Sequence, residues 1–168
     1  MNERPKSIMQ LSPNFTPKDP GRPVTCVIIH ATAAAEKYGS IEWLCNPDSK
    51  VSAHYLIDPL GAIYHLVHEQ NEAWHAGESE WQGKQFVNGF SVGIELVNPN
   101  DGKTPYPDPQ LASCADLVAA ICKDNSISTR DVVGHKDIAP GRKTDPAGFD
   151  FDAFRSMLES RGVNVTTV

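Results

Sequence analysis

The amino-acid sequence predicts an α/β fold: a single domain with a central mixed β-sheet flanked by helices. Three observations carry this. Two nearly continuous apolar, β-branched runs, residues 24–30 and 91–97, have the pattern of strands buried on both faces. Leu111, Cys114, Leu117, Val118, Ile121 and Cys122 recur at helical spacing, the stripe of a helix packed on a sheet. Two further strand-like segments, 51–58 and 62–67, flank Pro59-Leu60-Gly61 and read as a hairpin, which makes the sheet mixed rather than wholly parallel. At 168 residues the chain has the size of one domain with its own core, and it contains no internal repeat or low-complexity tract.

Taken in order, residues 1–23 carry five prolines, which remove backbone donors too often for a regular element. They are expected to form an irregular surface arm, leaving 24–168 as the folded domain. The strand at 24–30 ends on His30. Tyr38, Ile41, Leu44 and Cys45 then mark a short amphipathic helix that Asn46-Pro47-Asp48 ends. Ala73-Trp74-His75-Ala76-Gly77 sets an aromatic and a histidine among small residues, so Trp74, His75 and Ala76 are read as a shelf that a substrate can approach closely. Residues 78–90 read as a long loop near a binding groove, anchored by Trp81 and Phe86. Asp108 is expected to cap a helix with Pro109 at its first position. Residues 129–135 form a short last strand leading into the loop 134–146. A final helix at 152–161 turns Phe154 and Leu158 inward and stops at Gly162.

Composition excludes several roles. A net charge of −6 with scattered basic residues argues against nucleic acid as partner. No apolar run approaches the ~20 residues that span a bilayer, and no signal-peptide core follows the N-terminus, so synthesis in the cytoplasm is expected. Cys26, Cys114 and Cys122 lie in apolar segments and read as buried thiols rather than disulfide partners or an exposed nucleophile.

The chemistry-bearing residues sit at strand ends and in one loop. His30 closes a buried strand, a rigid place from which to present a ligand, although a hydrogen-bonded core histidine has the same appearance. His135 and Asp145 bracket a turn-rich loop, where Pro140-Gly141 can fold ten residues so that a nitrogen and an oxygen donor converge; a solvated loop with internally paired charges is the plainer alternative. Taken together, His30, His135 and Asp145 make three protein ligands with one position left for water, the arrangement of a catalytic zinc rather than a structural one. Glu95 is the only charged residue in its apolar run, costly to bury unless it is used, and suits a general base. Lys143, two residues before the aspartate, suits a developing oxyanion. His65 and His68 read as structural or surface residues.

Five stretches in order, 27–32, 52–57, 73–77, 91–96 and 134–146, together resemble the zinc-dependent N-acetylmuramoyl-L-alanine amidases of the type 2 family, which share a fold with peptidoglycan recognition proteins. The resemblance covers roughly residues 24–158. It implies one Zn²⁺ per chain on His30, His135 and Asp145, Glu95 as catalytic carboxylate and Lys143 on the oxyanion side. It implies cleavage of the amide between N-acetylmuramic acid and L-alanine in peptidoglycan or muropeptides, by a chain that acts as a monomer. Some members place cysteine where this chain has Asp145, and tyrosine where it has Ala53. This sequence thus resembles the branch that relies on the glutamate. A single-domain phage or prophage lysin that acts on the wall after lysis is the first expectation. A cytoplasmic enzyme recycling anhydro-muropeptides is the second. A non-catalytic peptidoglycan-binding module is the alternative of another class, and it would need neither an open metal position nor a base.

Overall fold

The two apolar runs pair with each other inside a six-stranded sheet. The computed structural model describes residues 3–166. In chain order its elements are β1 (Ile8–Met9), β2 (Phe15–Pro17), β3 (Cys26–Ala31), α1 (Lys37–Cys45), β4 (Tyr55–Ile57), β5 (Ile63–His65), β6 (Asn71–Ala73), β7 (Glu80–Trp81), β8 (Lys84–Gln85), β9 (Ser91–Leu96), α2 (Asp108–Asn125), β10 (Val132–Gly134), α3 (His135–Ile138) and α4 (Phe151–Ser160). The sheet order is β1-β5-β4-β9-β3-β10, with only β4 and β5 antiparallel. The expected hairpin is therefore the one antiparallel pair in an otherwise parallel sheet. Gly61 makes its turn at φ 84°, backbone that a side chain would strain.

Side-chain alternation along the strands sorts the two faces. Val27 and Ile29 of β3 and Val92, Ile94 and Leu96 of β9 join the apolar stripe of α2 and Phe154 and Leu158 of α4 in the main core. The opposite face carries Cys26, Ile28 and His30 from β3 and Ser91, Gly93 and Glu95 from β9. It is covered by α1, by residues 74–77 and by α3, with smaller clusters around Ile28 and Leu56. Because β3, β9 and β10 run parallel, their C-terminal ends open at the same edge, where ligands gather in α/β sheets. His30 and Glu95 are register partners at that edge.

Several sequence expectations need correction. The N-terminal arm is not wholly irregular: β1 adds an edge strand beside β5, and β2 pairs with β6. Arg4 also ties the arm down through paired contacts to Glu69, both oxygens at 2.8 Å, and through Asp124 at 2.8 Å. The loop 78–90 contains the β7–β8 hairpin and a 3₁₀ turn, Val87–Phe90. Within it Trp81 anchors as expected, donating Nε1–H to Asp131, whereas Phe86 is exposed. Asp108 is the first residue of α2, and Pro107 holds the cap position with no side-chain cap. Tyr38 points away from the core; α1 buries Ser40, Ile41 and Leu44 instead. All four cysteines are free, and Cys26, Cys114 and Cys122 are buried, as expected.

Candidate functional site

The loop after β10 is shorter and more ordered than its sequence implies. Its first residues form the single turn α3, so His135 leaves Gly134 already helical, and Gly134 N–H donates to Asp137 Oδ2 at 2.8 Å. The chain then returns so that Lys136 N–H donates to the Asp145 carbonyl at 2.9 Å, which brings the aspartate back beside the histidine. Beside β10, the parallel neighbour β3 carries His30 one residue before its end.

The three side chains converge. His30 Nδ1 lies 3.0 Å from His135 Nδ1, and Asp145 Oδ2 lies 3.3 Å from the first nitrogen and 3.2 Å from the second. Among the described residues these three form a group able to hold a metal ion, their ligand atoms all within 4.8 Å of one another. His135 Nε2 donates to the Ala76 carbonyl at 3.1 Å; a carbonyl only accepts, so the neutral ring has its lone pair on Nδ1. Two imidazole nitrogens, that of His135 bare, and a carboxylate oxygen point at one spot. That donor set fits a zinc-sized cation.

Electrostatics agree with this. Burial pushes His30 down to about 4, only partly opposed by Asp145, so the ring is a neutral donor at physiological pH. Burial alone would raise Asp145, but the two imidazoles beside it, His135 first and then His30, outweigh it and hold the carboxyl well below the usual range. Glu95 behaves in the opposite way. Burial first, then the nearby Asp145 charge, push it up to about 8, with Lys143 pulling against them. Its Oε2 is buried without a hydrogen-bond partner among the described residues. A carboxylate atom left in that state is costly unless a substrate or water completes it.

These groups share a cleft of about 380 Å³ walled by Trp43 of α1, by Trp74 and by the loop carrying Lys143 and Asp145. Trp74 stands where the sequence placed it, its Nε1 tied to Thr16 Oγ1 at 2.9 Å and its ring on the cleft wall. His75 lies on the floor with both ring nitrogens engaged, Nδ1 with His30 at 2.9 Å and Nε2 with Ser91 Oγ at 3.0 Å. It supports His30 rather than offering a free group to a ligand. Ala76 is wholly buried outside the cleft wall, so its expected substrate contact is corrected: its carbonyl holds His135 and, at 2.8 Å, Arg142. Sequence reading missed Trp43, Ser91 and Arg142. Ser91 had a signal, since residues 91, 93 and 95 share one face of their strand and read Ser, Gly, Glu amid apolar neighbours.

The chain matches the family profile described as N-acetylmuramoyl-L-alanine amidase over residues 20–148. It belongs to that amidase family. The 1,6-anhydro-N-acetylmuramyl-L-alanine amidase AmpD of Haemophilus influenzae is 41% identical to this amidase-family chain over 112 residues, covering 66% of the chain and 60% of the relative. The aligned part thus spans about three fifths of that relative's length. Among solved structures, a selenomethionine derivative of AmpD superposes with a TM-score of 0.81 at 28% identity, covering 90% of this chain and 93% of the other. The Escherichia coli amidase AmiD, in complex with anhydro-N-acetylmuramic acid-L-Ala-D-γ-Glu-L-Lys, superposes with a TM-score of 0.74 at 30% identity over 90% of this chain and 66% of that one. Among the described residues no helix is long and apolar enough to cross a membrane.

Proposed function

We propose that this chain is a zinc-dependent N-acetylmuramoyl-L-alanine amidase, with His30, His135 and Asp145 holding one Zn²⁺. The observation that carries the reading is the orphan Oε2 of Glu95 in the cleft of the His30, His135 and Asp145 donors. A binding module needs no unsatisfied carboxylate there. When bound, the zinc supplies Lewis-acid polarisation of the amide carbonyl and acidifies water.

The residues divide the remaining work. Glu95, raised toward neutrality by its surroundings, takes the proton of the attacking water and returns it to the alanine nitrogen as the amide bond breaks. Lys143, in the same cleft and close enough to pull Glu95 down, stabilises negative charge as it grows on the lactyl carbonyl oxygen. Trp43 and Trp74 offer apolar faces to the glycan and peptide on either side of the scissile bond. The products are a muramyl carboxylate and a stem peptide with a free amino group.

The similarity to AmpD and to AmiD bound to an anhydro-muropeptide favours soluble anhydro-muropeptides as substrate over intact wall. The lysin reading has structural neighbours too, including an endolysin amidase from Clostridium intestinale that is 22% identical and shares the fold. Incubating the zinc-loaded protein with purified sacculi and with anhydro-muropeptides, followed by mass spectrometry, tests both. Release of intact stem peptide from the fragments faster than from sacculi is expected. A folded, zinc-loaded protein that cleaves neither would overturn the proposal.

A further inference from the structure

Behind His75, outside the cleft lining, stands Ser91. Ser91 Oγ lies 2.7 Å from the Val87 carbonyl, which can only accept, so the single hydroxyl proton of Ser91 is committed there. Toward His75 Nε2, 3.0 Å away, Ser91 is then an acceptor, and His75 carries its proton on Nε2. A neutral imidazole has a single N–H, and with it on Nε2 the Nδ1 that His75 turns toward His30 is bare. Among the described residues the group placed to donate to that Nδ1, across 2.9 Å, is His30 Nε2–H. His30 is thereby left with its lone pair on Nδ1, the atom that faces His135 and Asp145.

We propose that Ser91 is a positioning residue whose hydrogen-bond chain from the Val87 carbonyl through His75 fixes the tautomer in which His30 presents Nδ1 to the cation. The inference rests on the metal reading above. The same outcome is reached at His135 in one step, through the Ala76 carbonyl; at His30 it takes two side chains, His75 and Ser91. The surroundings are shaped for this chain. A Cβ on Gly93 would fall 2.4 Å from His75 Cγ, so only glycine lets the ring lie against β9. Asn88 Oδ1 accepts from the backbone N–H of His75 at 3.2 Å and of Ala76 at 2.8 Å, which holds both supports in one frame. His54 packs edge-on behind His75 at 5.8 Å, its own nitrogens engaged by Gly93 N–H and the Asn71 carbonyl.

The test reads tautomers and metal affinity, not turnover. In the zinc-loaded wild type labelled with ¹⁵N-histidine, long-range ¹H–¹⁵N spectra should show His75 protonated on Nε2 and His30 protonated on Nε2 with Nδ1 metal-bound. Ser91→Ala removes the acceptor and should weaken zinc by the ~10–100-fold typical of losing an outer-shell partner, whereas Ser91→Thr, which keeps the hydroxyl, should restore most of it. His75 found protonated on Nδ1, or a folded Ser91→Ala protein with wild-type zinc affinity, would overturn the inference, and the wild-type spectra decide it even where Ser91→Ala fails to fold. A wild type that takes up no zinc sinks this inference and the metal reading together. A zinc-loaded protein with the expected tautomers but no amidase activity supports this inference and removes only the proposed reaction.

Discussion

Two polar clusters in this molecule bury carboxylates, and they are built on opposite terms. Behind β4 and α2, Glu69 receives Arg4 through both oxygens and the Tyr55 hydroxyl at 2.7 Å, so each acceptor has a partner. Burial alone would raise Glu69, but the Arg4 and Tyr55 hydrogen bonds more than reverse it. In the cleft, Glu95 has an oxygen with no partner among the described residues and is pushed up to about 8, and the ligand atoms of His30, His135 and Asp145 converge on one spot. A saturated network can only hold the fold together. An unsaturated one at the open edge of a parallel sheet is available for a ligand, and that difference separates a structural charge cluster from a functional one.

The contrast can be broken from either side. The largest effect is expected for His135→Ala: two remaining ligands hold zinc poorly, so metal content measured by mass spectrometry and turnover should both fall to background. Stoichiometric, tightly held zinc in that variant would remove His135 from the ligand set. Glu95→Gln keeps size and hydrogen bonding but takes no proton. It should fold, bind a full equivalent of zinc and lose the ~10²–10⁴ in kcat that general-base catalysis supplies. Most of the activity surviving in this protein would move the base elsewhere.

Lys143→Ala should lower kcat by ~10²–10³ with zinc content unchanged, the size of effect seen when one oxyanion donor is lost. A change confined to KM would show a binding role instead. On the saturated side, Glu69→Gln should cost about 2 kcal/mol in urea unfolding while leaving kcat/KM within error, because its partners serve the fold alone. Activity falling in step with stability would mean the two clusters are coupled.

The smallest effect is in pH. Native metal-free protein keeps the Glu95 proton up to about 8, whereas an unfolded glutamic acid loses it near 4.5, so between these values the native state binds more protons and stability falls as pH rises. The Tm advantage of metal-free Glu95→Gln over metal-free wild type should therefore grow from about pH 5 to about pH 8 and then level off. A constant difference would show that Glu95 is already ionised at pH 5.

Much of this was readable from residue order. The runs ending in His30 and containing Glu95 could only be central strands, and Leu117, Val118 and Ile121 could only be the inner face of a helix. What stayed hidden depended on partners remote in the chain. Two-residue strands such as β1 and β7 have no periodicity of their own, and Ile8 becomes a strand residue only because Tyr64 is beside it. The proline-rich arm therefore read as irregular, and the short hairpin as loop. At the site, ligand identities follow from side chains, but the role of His75 follows from Ser91 and His30, remote in the chain, and that of Ala76 from a backbone carbonyl, which is the same at every position of a sequence. His75 looked like a ligand-facing residue for that reason, and the Ala76 carbonyl was invisible.

The placement of β3 between β9 and β10 also governs the order in which this protein can come into being during synthesis. Its flanking strands are β9 and β10, and the imidazoles of His30 and His135 are 105 positions apart in the chain. An apolar strand made early must therefore wait on the ribosome for neighbours made much later, and such non-local pairing is slow. Until β9 emerges, Val27, Ile28 and Ile29 are an unpaired apolar edge open to other chains, the segment on which a chaperone would act. The three proposed ligands come together only once Asp145 has been added, the last of them in the chain.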